Sequence, residues 1–356
     1  MKRRARNSDV DDDSGDEIEL DAVSRLVNRS FVAFRCTPFW DFKVEHMSRY
    51  ERQFKEFMMI DLERALKEAR DNGDEEEETE DLLRGRVLQV ELKGQTISPW
   101  RGGESNALTK SPSRNLLSAH ALSETEDPSI RPFELTMLFQ PRGKPVQKAY
   151  SAVFMSALSE GSMKLAPGFS HFPLALIKAD APIIPLITRW FESNFGGHIS
   201  PMRIPPWILE DVTEEWALRF YDMQDTAVQD VVRVPRTRTL DLPLELRYDT
   251  GIDELKTVTV NIPVNDLLGL IERAFFQLFS LRVTNNHSRL MDIIQLHILE
   301  TTSIDVTKLI LSRAGNPASY ISTDGKVKLM ANQSKTLTLQ VMRRLMAVAC
   351  ENVFGP

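Results

Sequence analysis

The sequence predicts an α+β fold: a mainly antiparallel β-sheet with flanking helices. Three observations carry that reading. Short segments alternating apolar with polar residues recur along the chain. The cleanest is Thr239–Tyr248, where Leu240, Leu242, Leu244, Leu246 and Tyr248 alternate with Asp241, Pro243, Glu245 and Arg247. Pairs of such segments are joined by hairpin-type turns, as at Pro141-Arg142-Gly143-Lys144 and Asp324-Gly325. Amphipathic stretches of helical spacing lie between them, and no internal repeat is visible.

The elements follow in order. Residues 1–22 read as a disordered charged tail, in which Lys2, Arg3, Arg4 and Arg6 precede an acidic run beginning at Asp11. The basic cluster fits a nuclear import signal, and the missing apolar segment behind it excludes a secretory one. Residues 23–92 form an N-terminal α/β segment. Phe31–Phe34 reads as a strand entering the aromatic cluster Phe39, Trp40 and Phe42. His46–Arg70 is then a helix, with Tyr50, Phe54, Phe57/Met58, Leu62 and Ala65/Leu66 as its buried stripe. Asp71–Asp81, with eight carboxylates in eleven residues, reads as a solvated acidic loop, and Val87–Leu92 as a strand with Leu88, Val90 and Leu92 on one side. Residues 93–130 lack any sustained period and read as a disordered regulatory loop. Within it, Ser98-Pro99-Trp100-Arg101 and Ser111-Pro112-Ser113-Arg114 resemble sites of cyclin-dependent kinases. Ser98 and Ser111 are therefore the candidate phosphorylation sites.

Residues 131–356 form the main α+β body. Phe133–Phe139 and Lys148–Leu158 read as paired strands and Phe172–Ile177 as a further one. A helix over Ile184–Asn194 has Pro185 in its first turn and Gly196-Gly197 at its end. A second helix is expected from Asp211, with Glu214 placed for a capping box and Val212, Trp216, Phe220 and Met223 buried. Pro243 cannot donate to a ladder, so Thr239–Tyr248 is expected at a sheet edge, beside Thr257–Ile262. Val264–Leu281 reads as a helix, Ile293–Leu299 as a strand and Asp305–Arg313 as a short helix. Tyr320–Met330 reads as a hairpin with a type I′ turn, and Lys335–Val353 as a last helix.

Composition and motifs exclude several functions. No apolar run approaches the ~18 residues of a membrane span. Two cysteines, Cys36 and Cys350, cannot build a disulfide framework or a four-ligand zinc site. Phosphate-loop, GxSxG and HExxH motifs are absent, and His46, His120, His171, His198, His287 and His297 are scattered. No catalytic constellation, cofactor or small-molecule substrate is therefore expected. The formal charge of −7 divides into −9 over residues 1–81 and +2 over the rest, so the acidic balance does not bar the body from nucleic acid. Arg233, Arg236 and Arg238 fall within six residues, and in an extended strand the last two share a face. They are the candidate phosphate contacts. Trp40, Trp190, Trp207 and Trp216 sit beside apolar stripes and read as core.

Three blocks, in order, resemble the centromere protein L family. Phe34-Arg35-Cys36-Thr37-Pro38-Phe39-Trp40-Asp41-Phe42 with the Tyr50-bearing helix resembles its opening. Phe172-Pro173-Leu174-Ala175-Leu176 is followed by Trp190-Phe191, Phe195, Ser200-Pro201 and Trp216. Thr323-Asp324-Gly325-Lys326-Val327-Lys328-Leu329 then runs into the terminal helix. The resemblance covers roughly 31–60, 150–220 and 320–350. It implies a curved, mostly antiparallel sheet and a non-enzymatic subunit of the constitutive inner-kinetochore network in the nucleus. It further implies pairing with centromere protein N, contact with other inner-kinetochore subunits, and recognition of centromeric nucleosomes and DNA, with no membrane role. A strand edge suits such pairing because a partner strand satisfies its unpaired backbone groups. The Asp324-Gly325 hairpin, through Tyr320, Val327 and Leu329, and the Leu240–Tyr248 strand are the two candidates. Apart from the resemblance, the residues also fit a nuclear or cytosolic α+β interaction adaptor with no DNA role.

Overall fold

Ser30–Cys36 carries apolar side chains on both faces: Phe31 and Ala33 on one, Phe34 and Cys36 on the other. Such a strand is stable only where both faces are covered. In the computed structural model of the chain this strand, β1, lies inside a large sheet. The structure describes residues 26–71, 77–94, 132–156, 166–229, 243–280, 290–330 and 335–351.

The remaining strands are β2 (Phe39–Trp40), β3 (Arg86–Gly94), β4 (Phe133–Gln140), β5 (Lys148–Met155), β6 (Phe169–Ser170), β7 (Leu174–Lys178), β8 (Ile199–Pro201), β9 (Leu244–Asp249), β10 (Thr257–Ile262), β11 (Ile310–Gly315), β12 (Ser319–Ser322) and β13 (Lys326–Leu329). Eleven of them form one open sheet in the order β10-β9-β11-β12-β13-β1-β7-β5-β4-β3, with β8 also paired to β1; β2 and β6 form a separate two-stranded sheet. The strand pairings are antiparallel, with Phe31 opposite Val327 on one side of β1 and Phe34 opposite Ala175 on the other.

Seven α-helices are described: α1 (Met47–Asp71), α2 (Glu77–Leu83), α3 (Ile184–Phe195), α4 (Pro206–Gln229), α5 (Val264–Ser280), α6 (Leu290–Thr302) and α7 (Lys335–Glu351). They divide between the two faces of the sheet. α4, α5, α6 and α7 enclose an aliphatic core with Leu246, Ile321, Val327 and Leu329. α1 and α3 enclose an aromatic core with Phe133, Phe139 and Phe154. The two layers overlap only across β1, β5 and β7, whose alternate residues enter alternate cores.

Several expectations hold. α1 follows its predicted stripe, and α3 closes on Gly196 in the left-handed region (φ 61°), whose N–H donates to the Glu192 carbonyl. Others are corrected. The acidic loop is helical from Glu77, because Arg70 and Arg84 both pair with Glu80 at 2.6 Å. A bulge between Val87 and Gln89 resets the phase of β3, so Val87 rather than Leu88 is buried. α4 starts at Pro206, leaving Asp211 inside the helix, while Glu214 accepts the Met291 N–H at the start of α6. The segment read as a strand, Ile293–Leu299, is helical. Its apolar run buries Met291, Ile294 and Ile298, a helical spacing that β-branched composition obscured. Asp305–Arg313 is one 3₁₀ turn running into β11.

The turn at Asp324-Gly325 is also different. Only Gly325 has a positive φ, 83°, and its N–H donates to the Ser322 carbonyl, making a three-residue loop instead of type I′. Trp190 and Trp216 are buried as expected, whereas Trp40 and Trp207 are about half-exposed at 53% and 45%. Both cysteines are free, and they lie on opposite faces of the sheet, Cys36 in the aromatic core and Cys350 against the aliphatic one.

Candidate nucleic-acid interface

The helix layers are staggered, so one stretch of sheet keeps an open face. From β9 to β13 the aliphatic core takes Leu246, Ala314, Ile321 and Val327. Strand pleating turns the intervening residues the other way. Register aligns Arg247 with Arg313, and Arg313 with Ser322. The Arg313 guanidinium sits over the Tyr320 ring, 5.0 Å from its centroid. Partial burial raises the Tyr320 hydroxyl above its ordinary value, against the opposing influence of Arg313; Glu245 raises it further and Arg247 lowers it. Lys326 and Lys328 follow on β13, opposite the partly exposed Val32 and the exposed Ser30 of β1.

The open face ends in a groove of about 630 Å³ where it meets the layer beneath α3. Val32, Ile177 and Met330 are among its lining residues, and Lys148, Lys326 and Lys328 stand around it. Two of these lysines are neutralised locally. Lys148 Nζ lies 2.6 Å from Asp180, which also accepts the Tyr150 hydroxyl at 2.7 Å, and Lys326 Nζ lies 2.8 Å from Asp324. Partial burial works to raise the Asp180 carboxyl, but the bonds from Lys148 and Tyr150 outweigh it and hold the group below the usual value. No acidic partner for Lys328 occurs among the described residues, and Lys178, in the pleat of Leu174 and Leu176 and opposite Ser151, is turned to the other side of the sheet. A mixed Arg, Lys and Tyr surface of this kind offers charge-assisted donors and a ring to an extended polyanion.

The residues singled out from sequence fall differently. Arg233, Arg236 and Arg238 lie outside the described residues, as do Ser98 and Ser111. Tyr320 is partly buried on the open face. Val327 and Leu329 point into the aliphatic core, 1% and 0% exposed, which corrects their reading as contact residues. The edge argument is corrected too. β13 is held between β12 and β1, and β9 between β10 and β11, so neither has a free backbone edge. Among the described residues the end strands are β10 and β3. Pro243 precedes β9, so it removes no donor from the ladder.

Arg247, Arg313 and Lys328 were missed. Arg247 carried a signal, being on the polar side of the cleanest alternation in the chain. Arg313 carried none while its segment read as a helix. Among the described residues, no three His, Cys, Asp or Glu side chains gather in a way that could hold a metal ion.

Comparison with known proteins places this architecture. A family model described as Centromere protein L matches residues 25–353. The inner kinetochore subunit fta1 of Schizosaccharomyces pombe is 25% identical over 162 residues, 45% of this chain and 48% of that protein. The match thus spans about half the length of that relative. The family match covers nearly the whole chain, including the 225–315 stretch beyond the reach of the three sequence blocks, and the chain belongs to the centromere protein L family.

Proposed function

We propose that this protein is a non-enzymatic structural subunit of the inner kinetochore that works at centromeres in the nucleus. It pairs with centromere protein N, assembles with other inner-kinetochore subunits, and helps recognise the centromeric nucleosome while contacting its DNA. The observation that carries this reading is the family match across residues 25–353, joined by a relative that is itself an inner kinetochore subunit. The open face supports the DNA contact, since Arg247, Arg313 and Lys328 lie along one surface. Arg233, Arg236 and Arg238 extend the proposed contact set, and Ser98 and Ser111 remain proposed phosphorylation sites. For the partner, the outermost strand β10 offers the backbone edge that the hairpin lacks, and Tyr320 is the hairpin residue still available to it.

Localisation of the tagged full chain against a centromere marker tests the role, with overlapping puncta expected and a diffuse signal overturning it. DNA retention is tested with Arg247→Glu/Arg313→Glu, expected to weaken binding and flatten its salt dependence. Unchanged retention removes the open face from the DNA contact. Thr257→Lys/Thr259→Lys, which charges the outermost strand, is expected to weaken pull-down of centromere protein N. Unchanged pull-down moves the partner elsewhere.

A further inference from the structure

The two end strands of the sheet are finished differently. Glu51 and Lys55 stand one turn apart on α1, with charges that suit a mutual ion pair. Both reach the backbone of β3 instead. Glu51 Oε1 accepts the Leu92 N–H at 2.7 Å, and Lys55 Nζ donates to the Leu88 carbonyl at 2.9 Å. An N–H in a strand points to one margin only, and β4 occupies the inner margin of β3. The Leu92 N–H therefore belongs to the outer margin. So does the Leu88 carbonyl, released from the ladder by the bulge between Val87 and Gln89.

Other features of β3 act in the same direction. A Cβ at Gly94 would lie 3.3 Å from Val44 and 3.6 Å from Met47, so the end of the strand is tucked against the start of α1. Charged side chains line the strand, with Glu91 accepting from Gln89 at 2.7 Å and pairing with Lys93 at 2.5 Å. A bulge, charged side chains and a covering helix are the means by which natural sheets blunt an edge. β10 has the opposite finish. Its register with β9 runs unbroken through six pairs, and its alternate residues Thr257, Thr259 and Asn261 are uncharged.

We propose that Glu51 and Lys55 form an edge lock: by holding the Leu92 N–H and the Leu88 carbonyl, they deny β3 to an added strand, and first of all to the same strand of a second copy. An incoming strand would have to displace two bonds to charged groups, the stronger class of hydrogen bond, before making its own. The sheet is then closed at one end, and the chain takes one strand partner and terminates growth. That consequence rests on β10 receiving the partner, as proposed above; the lock itself does not.

The test compares the full chain with Glu51→Ala/Lys55→Ala and with Glu51→Gln/Lys55→Arg, which keeps an acceptor and a donor in place. Self-association is followed by sedimentation velocity over a concentration series, and hydrogen exchange of residues 86–94 by mass spectrometry. The alanine pair is expected to self-associate at least about tenfold more tightly than the wild type, with exchange in 86–94 slowing as concentration rises. The Gln/Arg pair should behave as the wild type does. An alanine pair that sediments like the wild type overturns the proposal, even with a lower denaturant midpoint, since the two residues would then only hold α1 on the sheet. Association without slowing at 86–94 also overturns it. So does equal association of the Gln/Arg pair, which would make side-chain identity and not the two bonds the barrier. No partner is present in this measurement, so it can fail while pull-down of centromere protein N behaves as expected, and the reverse.

Discussion

The two cores of this sheet are built from different materials. In the aromatic half the Phe39 ring has five neighbours, Phe42, Phe154, Phe172, Phe191 and Phe195, at centroid distances of 5.8–6.2 Å. In the aliphatic half Trp216 stacks on Phe220, and the remainder is largely Leu, Ile, Val, Met and Ala. Rings interlock through directional edge and face contacts, whereas aliphatic side chains fill volume and tolerate exchange. The difference separates two tasks. The ring cluster fixes one end of the sheet in a single arrangement, and the aliphatic half supports strands whose opposite face stays open and charged.

Phe39→Ala is expected to cost about 3–5 kcal/mol, read as a lower denaturant midpoint. A loss below ~1 kcal/mol would mean that the ring cluster is not a unit. Gly325→Val is next, at about 2–3 kcal/mol, because its positive φ disfavours a side chain and a Cβ would lie 2.5 Å from the Met202 carbonyl oxygen. A sharper contrast comes from near-isosteric exchanges. Phe39→Leu removes ring contacts and should cost about 2 kcal/mol, while Leu246→Met should cost less than about 1 kcal/mol. Equal losses would erase the distinction between the halves.

The smallest effect is at Asp180, which binds Lys148 and Tyr150 beside the groove. A carboxyl held below its ordinary value stabilises the fold above the unfolded value and loses that contribution as pH falls through the folded one. Asp180→Asn should therefore lower the melting temperature slightly near neutrality. The gap to the wild type should close below the ordinary carboxylate value of 3.8. A gap constant down to strong acid would mean that the charge is not what holds these three groups.

The long periodic elements were legible from sequence. α1, α5, α7 and β9 each repeat one spacing over several turns or pleats, and tertiary context did not override them. Short elements were not. Ile293–Leu299 lacked a decisive period, and its β-branched residues suggested a strand. The candidate interface was harder still. Arg247 and Arg313 are 66 positions apart and meet only through the β9–β11 register. Pro243 seemed to mark an edge, but a proline just ahead of a strand leaves the whole ladder intact. Strand order, which decides what is an edge, depends on long-range pairing that no local pattern records.

β1 is made early and finds its neighbours late. One flank pairs with β7 and the other with β8 and β13, and the Arg35 guanidinium donates to the Val348 carbonyl 313 positions away. On the ribosome, at ~5–20 residues per second, the Ser30–Val32 stretch of this apolar strand waits through almost the whole of synthesis for β13. Loop closure on that scale slows assembly, and an unpaired strand invites non-native pairing meanwhile. Synthesis of the chain thus carries a window of vulnerability set by topology, in which chaperone protection of Ser30–Cys36 matters more than at any later stage.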